Sequence, residues 1–415
     1  MRPHRRTIVL SSLLALALGT ACTAAAGLAP QPTVPNGFTI EIVARLDGPR
    51  ELAAAPNGDL IVGTNGDRIA IVPHADGTPG AVTTFARVGD APAAGVALAG
   101  DTLYIGSQFG VWRVPYHAGE VSASRAPEKI ASVRTSGRSS DHVTTSVALA
   151  DGTLYASVGS SCNACDPELD ATRASIRAMH PDGSDERARA VHIRNAIALA
   201  VDPATQQLWA GVAGQDELTH GHPYEIFDDV SAQSKPVADY GWPHCYEDRR
   251  PVEATRTCAG VAVPRVVLPA YETPIGAAFY PAETHGAHAF PQGFRGGAFV
   301  ALHGSWHRPL VPPRVVFVPL HHDEPAAGVD WNDPNVQWHE FASGFQTADG
   351  TRIGRPTGVA VGADGSLFVA DDGAGVIYRI RPVAASSVSS RSARVPAARG
   401  PKTAGAGRNR PPATS

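Results

Sequence analysis

Short apolar runs that alternate with tight Asp-Gly or Asn-Gly turns recur along this chain of 415 residues. Helical periodicity over ten or more residues is scarce beyond the N-terminus, whereas runs of Val, Ile, Leu and Tyr bounded by such turns are typical of strands in hairpins. The 42 glycines and 35 prolines fit a fold with many turns better than a helical one. The pattern predicts an all-β protein.

One arrangement repeats six times: small residues, an apolar strand, a tight turn and a second strand that ends in small residues. The six segments begin at Pro49, Gly95, Thr144, Arg194, Thr273 and Arg355, and a third strand is visible at residues 69–72, 111–114 and 376–380. All-β repeats of about 45 residues are typical of propeller blades. We therefore predict a six-bladed β-propeller with decorated loops. A β-sandwich, the alternative, does not repeat one internal segment six times.

In three of the six repeats, polar or ionisable side chains come directly before the first apolar strand. They are Asp141 and His142, Arg194 and Asn195, and Arg355. Equivalent positions in different blades of a propeller converge on the central channel, because the innermost strands surround it. The pattern predicts a functional site at one mouth of this channel.

The N-terminus has the composition of an export signal. Three arginines precede an apolar run from Ile8 to Leu18, which is too short to span a membrane, and small residues follow. Cys22 is either the acylated cysteine of a lipoprotein or is removed by cleavage nearby. We expect an exported protein, either a periplasmic or cell-surface lipoprotein or a secreted protein, with residues 1–22 as the signal and residues 23–35 as a linker.

Four cysteines remain after Cys22, an even number that suits an oxidising compartment. The economical pairing is local, Cys162 with Cys165 and Cys245 with Cys258. A zinc site formed by the same four cysteines is the alternative, and it requires two distant halves of the chain to meet.

The charge is distributed unevenly along the chain. Residues 383–415 contain six basic residues, no acidic residues and no aromatic residues, which predicts a disordered basic tail. Without this tail and the three N-terminal arginines, 26 basic residues face 39 acidic ones. A body this acidic is a poor partner for nucleic acid. Membrane association is expected only through a lipid anchor on Cys22.

Six motifs, in this order, resemble the soluble pyrroloquinoline-quinone-dependent sugar dehydrogenases, which include aldose and L-sorbosone dehydrogenases. The motifs are GRSSDHV at 137–143, IRNAIALAVDP at 193–203, GQDEL at 214–218, DYGWP at 239–243, HGSWHR at 303–308 and GRPTGVAVGADGSLFVADD at 354–372. The resemblance covers residues 36–382. It implies that the propeller binds pyrroloquinoline quinone and calcium, and that it oxidises a sugar.

The resemblance also implies roles for individual residues. His142 matches the general base that takes the proton of the sugar hydroxyl, and Asp141 is placed to orient its ring. Guanidinium groups bind carboxylates well, and the cofactor has three of them. The matching cofactor residues are Arg194, Asn195, Arg355, His303 and Arg308. Gly214 and Gln215 match a calcium site formed by backbone carbonyls.

The chain departs from the family at two cofactor positions. Ala93 and Ala94 stand where the family has Gln or His, and Thr357 stands where a second arginine is expected.

Three functions are therefore compared. The first is an exported oxidoreductase that passes hydride from an aldose or sorbosone-like sugar to the quinone and then electrons to an unidentified acceptor. The second is a propeller that binds glycan or protein without catalysis, and the third is a calcium-dependent lactonase.

Overall fold

The computed structural model describes residues 31–383, except Ser234 and His322. The predictions for the export signal, for Cys22 and for the basic tail lie outside the described residues. Within this range there are 29 strands and one 3-10 helix, Gln292–Phe294. No described helix is long and apolar enough to cross a membrane.

Six sheets form the blades of a propeller, so the predicted fold is confirmed. The first strand, β1 (Phe38–Arg45), belongs to the last blade. Blade 1 contains β2 (Pro49–Ala54), β3 (Leu60–Thr64), β4 (Arg68–Val72) and β5 (Thr83–Arg87); blade 2 contains β6 (Gly95–Ala99), β7 (Thr102–Ser107), β8 (Gly110–Pro115) and β9 (Glu128–Ser132). Blade 3 contains β10 (Val147–Ala150), β11 (Thr153–Val158), β12 (Ser175–Met179) and β13 (Arg187–Val191).

The remaining blades carry the longer insertions. Blade 4 contains β14 (Ala198–Val201), β15 (Leu208–Val212), β16 (Glu225–Asp229) and, after an excursion, β20 (Val266–Leu268). Within this excursion β17 (Ala238–Asp239) extends the sheet of blade 3, and β18 (Cys245–Tyr246) pairs with β19 (Arg250–Pro251). Blade 5 contains β21 (Pro274–Phe279), β22 (Ala298–Leu302), β23 (Arg314–Val318) and β26 (His339–Ala342), with a small hairpin of β24 (Leu320–His321) and β25 (Glu324–Pro325). Blade 6 contains β27 (Pro356–Val361), β28 (Leu367–Asp371) and β29 (Val376–Pro382).

The ring is closed by strands from the two ends of the described chain. β1 pairs antiparallel with β29, with Phe38 opposite Pro382 and Arg45 opposite Val376. Blade 6 therefore takes its outermost strand from the N-terminal side and its other three strands from the C-terminal side. Closure of this kind fixes the relative positions of the first and last blades through main-chain hydrogen bonds.

Six apolar clusters form the core, one between each pair of neighbouring blades. Inner strands such as β3 are buried along their whole length because blades cover both of their faces. The innermost strands also approach one another closely. A Cβ on Gly358 would lie 2.3 Å from the carbonyl oxygen of Arg50 in the next blade, so only glycine fits there.

Both predicted disulfides are confirmed. Cys162 and Cys165 are joined with their Cα atoms 5.7 Å apart, and Cys245 and Cys258 are joined with their Cα atoms 5.9 Å apart. The zinc alternative is wrong, because each cysteine is paired within its own loop.

Candidate active site at the mouth of the channel

The innermost strands β2, β6, β10, β14, β21 and β27 all run in the same direction along the channel. The residues at their beginnings therefore lie at one end of it, which we call the mouth. His142 precedes β10, Arg194 and Asn195 precede β14, and Arg355 precedes β27. The repeat places these four side chains at the same end of the ring, as the sequence predicted.

His142 is fixed by the residues that follow β11. Its Nδ1 atom lies 3.0 Å from the carbonyl oxygen of Ser160 and 3.0 Å from the Ser160 hydroxyl. The main-chain N–H of His142 donates to the same carbonyl at 3.0 Å. A carbonyl oxygen only accepts, so Nδ1 carries the proton of the neutral ring. The lone pair is therefore on Nε2, for which no hydrogen-bond partner is found among the described residues.

The surroundings of His142 keep the ring neutral. Burial, followed by the positive charge of Arg194, lowers the pKa of His142 to about 4. A neutral imidazole with a free Nε2 lone pair can accept a proton at neutral pH. This is the chemical state that a general base requires.

Asp141 does not orient the ring, which corrects the role suggested by the sequence. Its carboxylate accepts hydrogen bonds from the main-chain N–H groups of Ser136 and Gly137, at 2.8 and 3.1 Å, and from the Ser136 hydroxyl at 2.5 Å. It also lies 3.9 Å from the guanidinium of Arg173. Asp141 therefore holds the loop before His142, while Ser160 orients the imidazole.

Arg173 was missed by the sequence analysis. Its buried guanidinium donates to the carbonyl oxygens of Arg134, His142 and Ser160 at 2.7, 3.0 and 3.1 Å. It thereby joins both sides of the loop that carries the imidazole. A lone Arg before a strand gives no sequence signal for this contact, because its three acceptors are backbone atoms distant in the chain.

Asn195 and His142 are brought together by a glycine. A Cβ at Gly159 would lie 2.5 Å from the Cβ of His142 and 2.6 Å from Oδ1 of Asn195. Any larger residue at position 159 would push these two side chains apart. The close approach of β11's end to the mouth therefore depends on this glycine.

Arg194 is a buried cation at the mouth. It donates to the carbonyl oxygens of Asn163 and Ala213 at 3.1 and 3.3 Å, and to the Asn163 side chain at 3.0 Å. Its one carboxylate contact, with Asp216, is long at 3.4 Å. Burial lowers the pKa of Arg194, because the surroundings solvate its charge less well than water does.

Arg355 has a similar environment on the other side of the channel. Its guanidinium donates to the carbonyl oxygens of His303 and Gly304 at 3.2 and 3.3 Å. No carboxylate among the described residues forms an ion pair with it. Carbonyl groups solvate the guanidinium of Arg355 but do not neutralise its charge as a carboxylate in an ion pair would. An anionic ligand would therefore stabilise this half-buried cation.

His303 is a neutral donor rather than the cation that the resemblance implied. Burial lowers the pKa of His303 to about 4, although Asp372 lies 2.9 Å from its Nε2 atom. Burial alone would raise the pKa of Asp372, but His303 and Arg50 together hold it at about 2. The carboxylate of Asp372 thus accepts from His303 and also pairs with Arg50 at 2.9 Å.

The cation at this point is Arg50, which the sequence analysis overlooked. It is the second residue of β2 and corresponds to Thr357 of blade 6 rather than to Arg355, because Pro49 and Pro356 occupy matching positions in the two blades. The side chains directly before the inner strands therefore gave no signal for Arg50, which lies inside β2.

Arg308 is not brought into contact with the other candidate residues. It is exposed and packs over the ring of Tyr271 at 5.1 Å. The neighbouring Trp306 is 81% exposed, whereas Trp242 is buried and donates to the carbonyl of Asn163 at 3.1 Å. Of these two tryptophans, Trp242 is part of the packing between loops.

Gly214 and Gln215 follow β15 and lie close to Arg194 around a small cavity. The main-chain N–H of Gly214 donates to the carboxyl of Glu225 at 2.6 Å, and Asp216 is the next residue after Gln215. Carbonyl oxygens beside carboxyl groups are a suitable donor set for calcium. No cluster of three or more His, Cys, Asp or Glu side chains that could hold a metal occurs in the described part of the chain.

The two departures from the family have structural roles. Ala93 and Ala94 are fully buried. The Thr357 hydroxyl donates to the carbonyl of Pro49 at 3.0 Å, across the junction between blade 6 and blade 1. Where the family has a second arginine, Thr357 of this chain therefore forms a hydrogen bond between two blades.

A family model described as TrAA12-like matches residues 32–254 and 248–383. The chain belongs to the TrAA12-like family. The family resemblance noted in the sequence is confirmed by this match. A curated relative, an uncharacterized protein of Borreliella burgdorferi, is 23% identical over 84% of this chain and 90% of its own length.

Solved structures show the same propeller as this TrAA12-like chain. The holo form of the PQQ domain of a pyranose dehydrogenase from Coprinopsis cinerea is 20% identical, with a TM-score of 0.71, over 85% of this chain and 97% of that one. The calcium structure of a family AA12 protein from Trichoderma reesei is 20% identical, with a TM-score of 0.70, over 85% and 98%. The apo-form of a soluble aldose sugar dehydrogenase from Escherichia coli is 17% identical, with a TM-score of 0.59, over 83% and 100%. At these identities the likeness shows the fold.

Proposed function

We propose that this TrAA12-like protein is an exported oxidoreductase that oxidises an aldose or a related, sorbosone-like sugar by hydride transfer to pyrroloquinoline quinone. Calcium is the proposed metal, and an unidentified acceptor takes the electrons. The names of the similar structures, a PQQ domain, a calcium form and an aldose sugar dehydrogenase, support this choice of chemistry.

The cations of the mouth fit a cofactor with three carboxylates. Arg194 and Arg355 are held mainly by carbonyl groups; Arg194 has a long contact with Asp216, and Arg355 has no ion pair among the described residues. Arg50 is already paired with Asp372, so it supplies a donor group rather than a free charge. Asn195 adds a neutral amide beside His142. These four residues would hold the cofactor, and the carbonyls of Gly214 and Gln215 would hold calcium.

The cofactor, when bound, supplies the quinone that accepts hydride. His142 then performs the proton transfer: Nε2 takes the proton of the sugar hydroxyl while the C–H bond is broken. The hydrogen bond from Nδ1–H to Ser160 stabilises the imidazolium that results, because that nitrogen already donates to a carbonyl. The loop contacts of Arg173 and Asp141 keep the ring at this position.

The observation that carries the proposal is the state of His142: a neutral ring with a free Nε2 atom, close to the buried Arg194, whose ion pair with Asp216 is long at 3.4 Å. This arrangement favours the enzyme over a propeller that only binds glycan or protein. It also favours the enzyme over a lactonase, which needs several carboxylate or amide ligands in the channel.

The test is reconstitution of the purified protein with pyrroloquinoline quinone and Ca²⁺. We expect the absorption spectrum of the bound cofactor, and reduction of an artificial dye when members of a panel of aldoses are added. Arg355→Ala should weaken cofactor binding, whereas Arg113→Ala, which changes a surface arginine paired with Glu128, should not. If the wild-type protein binds no cofactor, the non-catalytic binding propeller is the better assignment.

A further inference from the structure

The central channel continues below the candidate active site to the opposite face of the propeller. A small cavity of about 40 Å³ is enclosed by the middle of the innermost strands. A second, open cavity of about 640 Å³ begins directly beneath it. The two cavities share lining residues in all six inner strands: Leu52, Val96, Val147, Leu199, Ala277 and Val359. We call the two neighbouring cavities together the axial passage.

Glu51 is the one ionisable residue that lines the smaller cavity, which we call the upper cavity. The larger cavity is called the lower cavity. The other residues that line the upper cavity are Leu52, Val96, Val147, Ile197, Ala198, Leu199, Gly276, Ala277, Gly358 and Val359. None of them is charged, and none has a polar side chain. The carboxyl group of Glu51 is therefore the one ionisable group on the wall of this cavity.

The contacts of Glu51 show that its side chain crosses the channel. Glu51 belongs to blade 1, yet its Oε1 atom accepts a hydrogen bond from the hydroxyl of Ser146 in blade 3. The main-chain N–H of Val96 in blade 2 also bonds to the carboxyl. A glutamate on the outer side of its strand could not reach two further blades.

The position of Glu51 is between the site and the passage. Its neighbour Arg50 pairs with Asp372 at the mouth, and the next residue, Leu52, lines both cavities. The lower cavity opens past Glu283 and His285. Ionisable groups thus lie at both ends of the passage, and among the other side chains that line it only Thr284 is polar.

We propose that Glu51 is a proton-relay group, which passes protons from the candidate active site into the axial passage, through which they leave at the opposite face. The inference rests on the proposed function, because sugar oxidation supplies the protons. The mouth is then left to the sugar and the electron acceptor. This separates the exit of protons from the exit of electrons.

The reaction releases protons that have to reach solvent. Oxidation of one sugar hydroxyl breaks an O–H bond and a C–H bond and forms a C=O bond. The substrate loses two electrons and two protons in total. The electrons pass to the acceptor, an oxidant that takes two electrons in one or two steps, and the protons must reach solvent. His142 takes the first proton, and its Nδ1 atom is held by the carbonyl and the hydroxyl of Ser160.

The electrostatics of Glu51 suit a group that gains and loses a proton in the physiological range. Desolvation raises the pKa of Glu51 to about 8, against the opposing effects of Ser146, Arg50 and Val96. Arg50 on its own strand is the charged group that faces it, and β6, β10, β14, β21 and β27 present no charged side chain to the upper cavity.

The decisive variant is Glu51→Gln, which keeps the acceptor for Ser146 and removes the titratable proton. Cofactor binding and the single-turnover reduction of bound cofactor by sugar should match the wild type. Steady-state dye reduction should fall about tenfold or more, the lower part of the range for loss of a proton-transfer group. Glu128→Gln, which changes a surface acid of blade 2, is the matched control and should leave all three measurements unchanged.

The pH dependence gives a readout that a purely structural role would not change. Wild-type steady-state turnover should rise with pH through about 8 as Glu51 becomes free to accept a proton. This rise should be absent from Glu51→Gln. Ser146→Ala removes a hydrogen bond that lowers the pKa of Glu51, so the rise should move to higher pH.

Infrared titration of the cofactor-free protein tests the group without any reaction. A protonated carboxyl band that disappears near pH 8 in the wild type, and is missing from Glu51→Gln, is expected. Equal steady-state rates and equal pH profiles in wild type and Glu51→Gln would overturn the relay, while leaving the dehydrogenase proposal intact. Loss of cofactor binding in Glu51→Gln would also overturn it, in favour of a binding role. A wild-type protein that binds no cofactor would overturn both proposals.

Discussion

At the scale of single residues, the position of one proton on His142 determines what the site can do. His142→Ala should leave cofactor affinity nearly unchanged, because Arg50, Arg194 and Arg355 remain. Turnover should fall by roughly 10² to 10⁴, the usual effect of removing a general base. Because the pKa of His142 is lowered to about 4, the acid limb of kcat/KM should lie near pH 4 rather than near the 6.5 of a free imidazole.

The control for this prediction is His180→Ala in the same blade, whose imidazole is 61% exposed and pairs only with Asp185. Its rates and pH profile should equal those of the wild type. An active His142→Ala protein at saturating cofactor would show that another group is the base.

Arg173 is the second residue for which a substitution has an effect that can be measured, here on stability as well as on turnover. Arg173→Met should lower the free energy of unfolding by roughly 3 kcal/mol, because it removes the cation beside Asp141 and the donor to the carbonyl groups of Arg134 and His142. Turnover should fall as well, since the His142 loop loses its anchor. Denaturant unfolding measures the first effect. Arg187→Met, at an arginine that is 53% exposed, is the control and should change stability little. An unchanged unfolding midpoint in Arg173→Met would contradict the anchoring role.

At the scale of secondary-structure elements, the closing strand β1 depends on Phe38. This ring packs edge-on against Phe290, Phe294 and Phe341, at centroid distances of 4.7, 5.4 and 5.3 Å. Phe38→Ala should lower the free energy of unfolding by about 3 kcal/mol. The truncation leaves a cavity beside the three phenylalanine rings, and the blades around it cannot move together to fill the cavity. Ile42→Ala, at a more exposed position of the same strand, should cost much less. Thermal unfolding of both variants decides whether the closure depends on this aromatic contact.

At the scale of the whole molecule, the propeller should fold without the basic C-terminal segment. The composition of residues 384–415 offers little apolar surface to bury, and the last strand already ends at Pro382. A chain that ends at Val383 should therefore have the melting temperature of the full-length protein. A clearly lower melting temperature would show that the segment contributes to the folded state.

The repeat made most of the fold predictable. Each segment contains its own strands and turn, so local patterning of apolar and polar residues indicates the blades, and equivalent positions indicate the mouth. The same logic indicated His142, Arg194, Asn195 and Arg355, but not Arg50, which lies inside β2. Pairing of cysteines close in sequence was predictable because short loops join with little loss of chain entropy.

What the sequence by itself determined is therefore local: the number of blades, the disulfides and the residues that begin the inner strands. The tertiary structure decided what depends on contacts between distant segments. It assigned the orientation of His142 to Ser160 and the loop anchor to Arg173, and it made His303 neutral through burial. It also joined β1 to β29 and carried Glu51 across the channel to Ser146. Hydrogen bonds to backbone atoms and desolvation leave no pattern in the order of side chains, because both arise only when the ring closes.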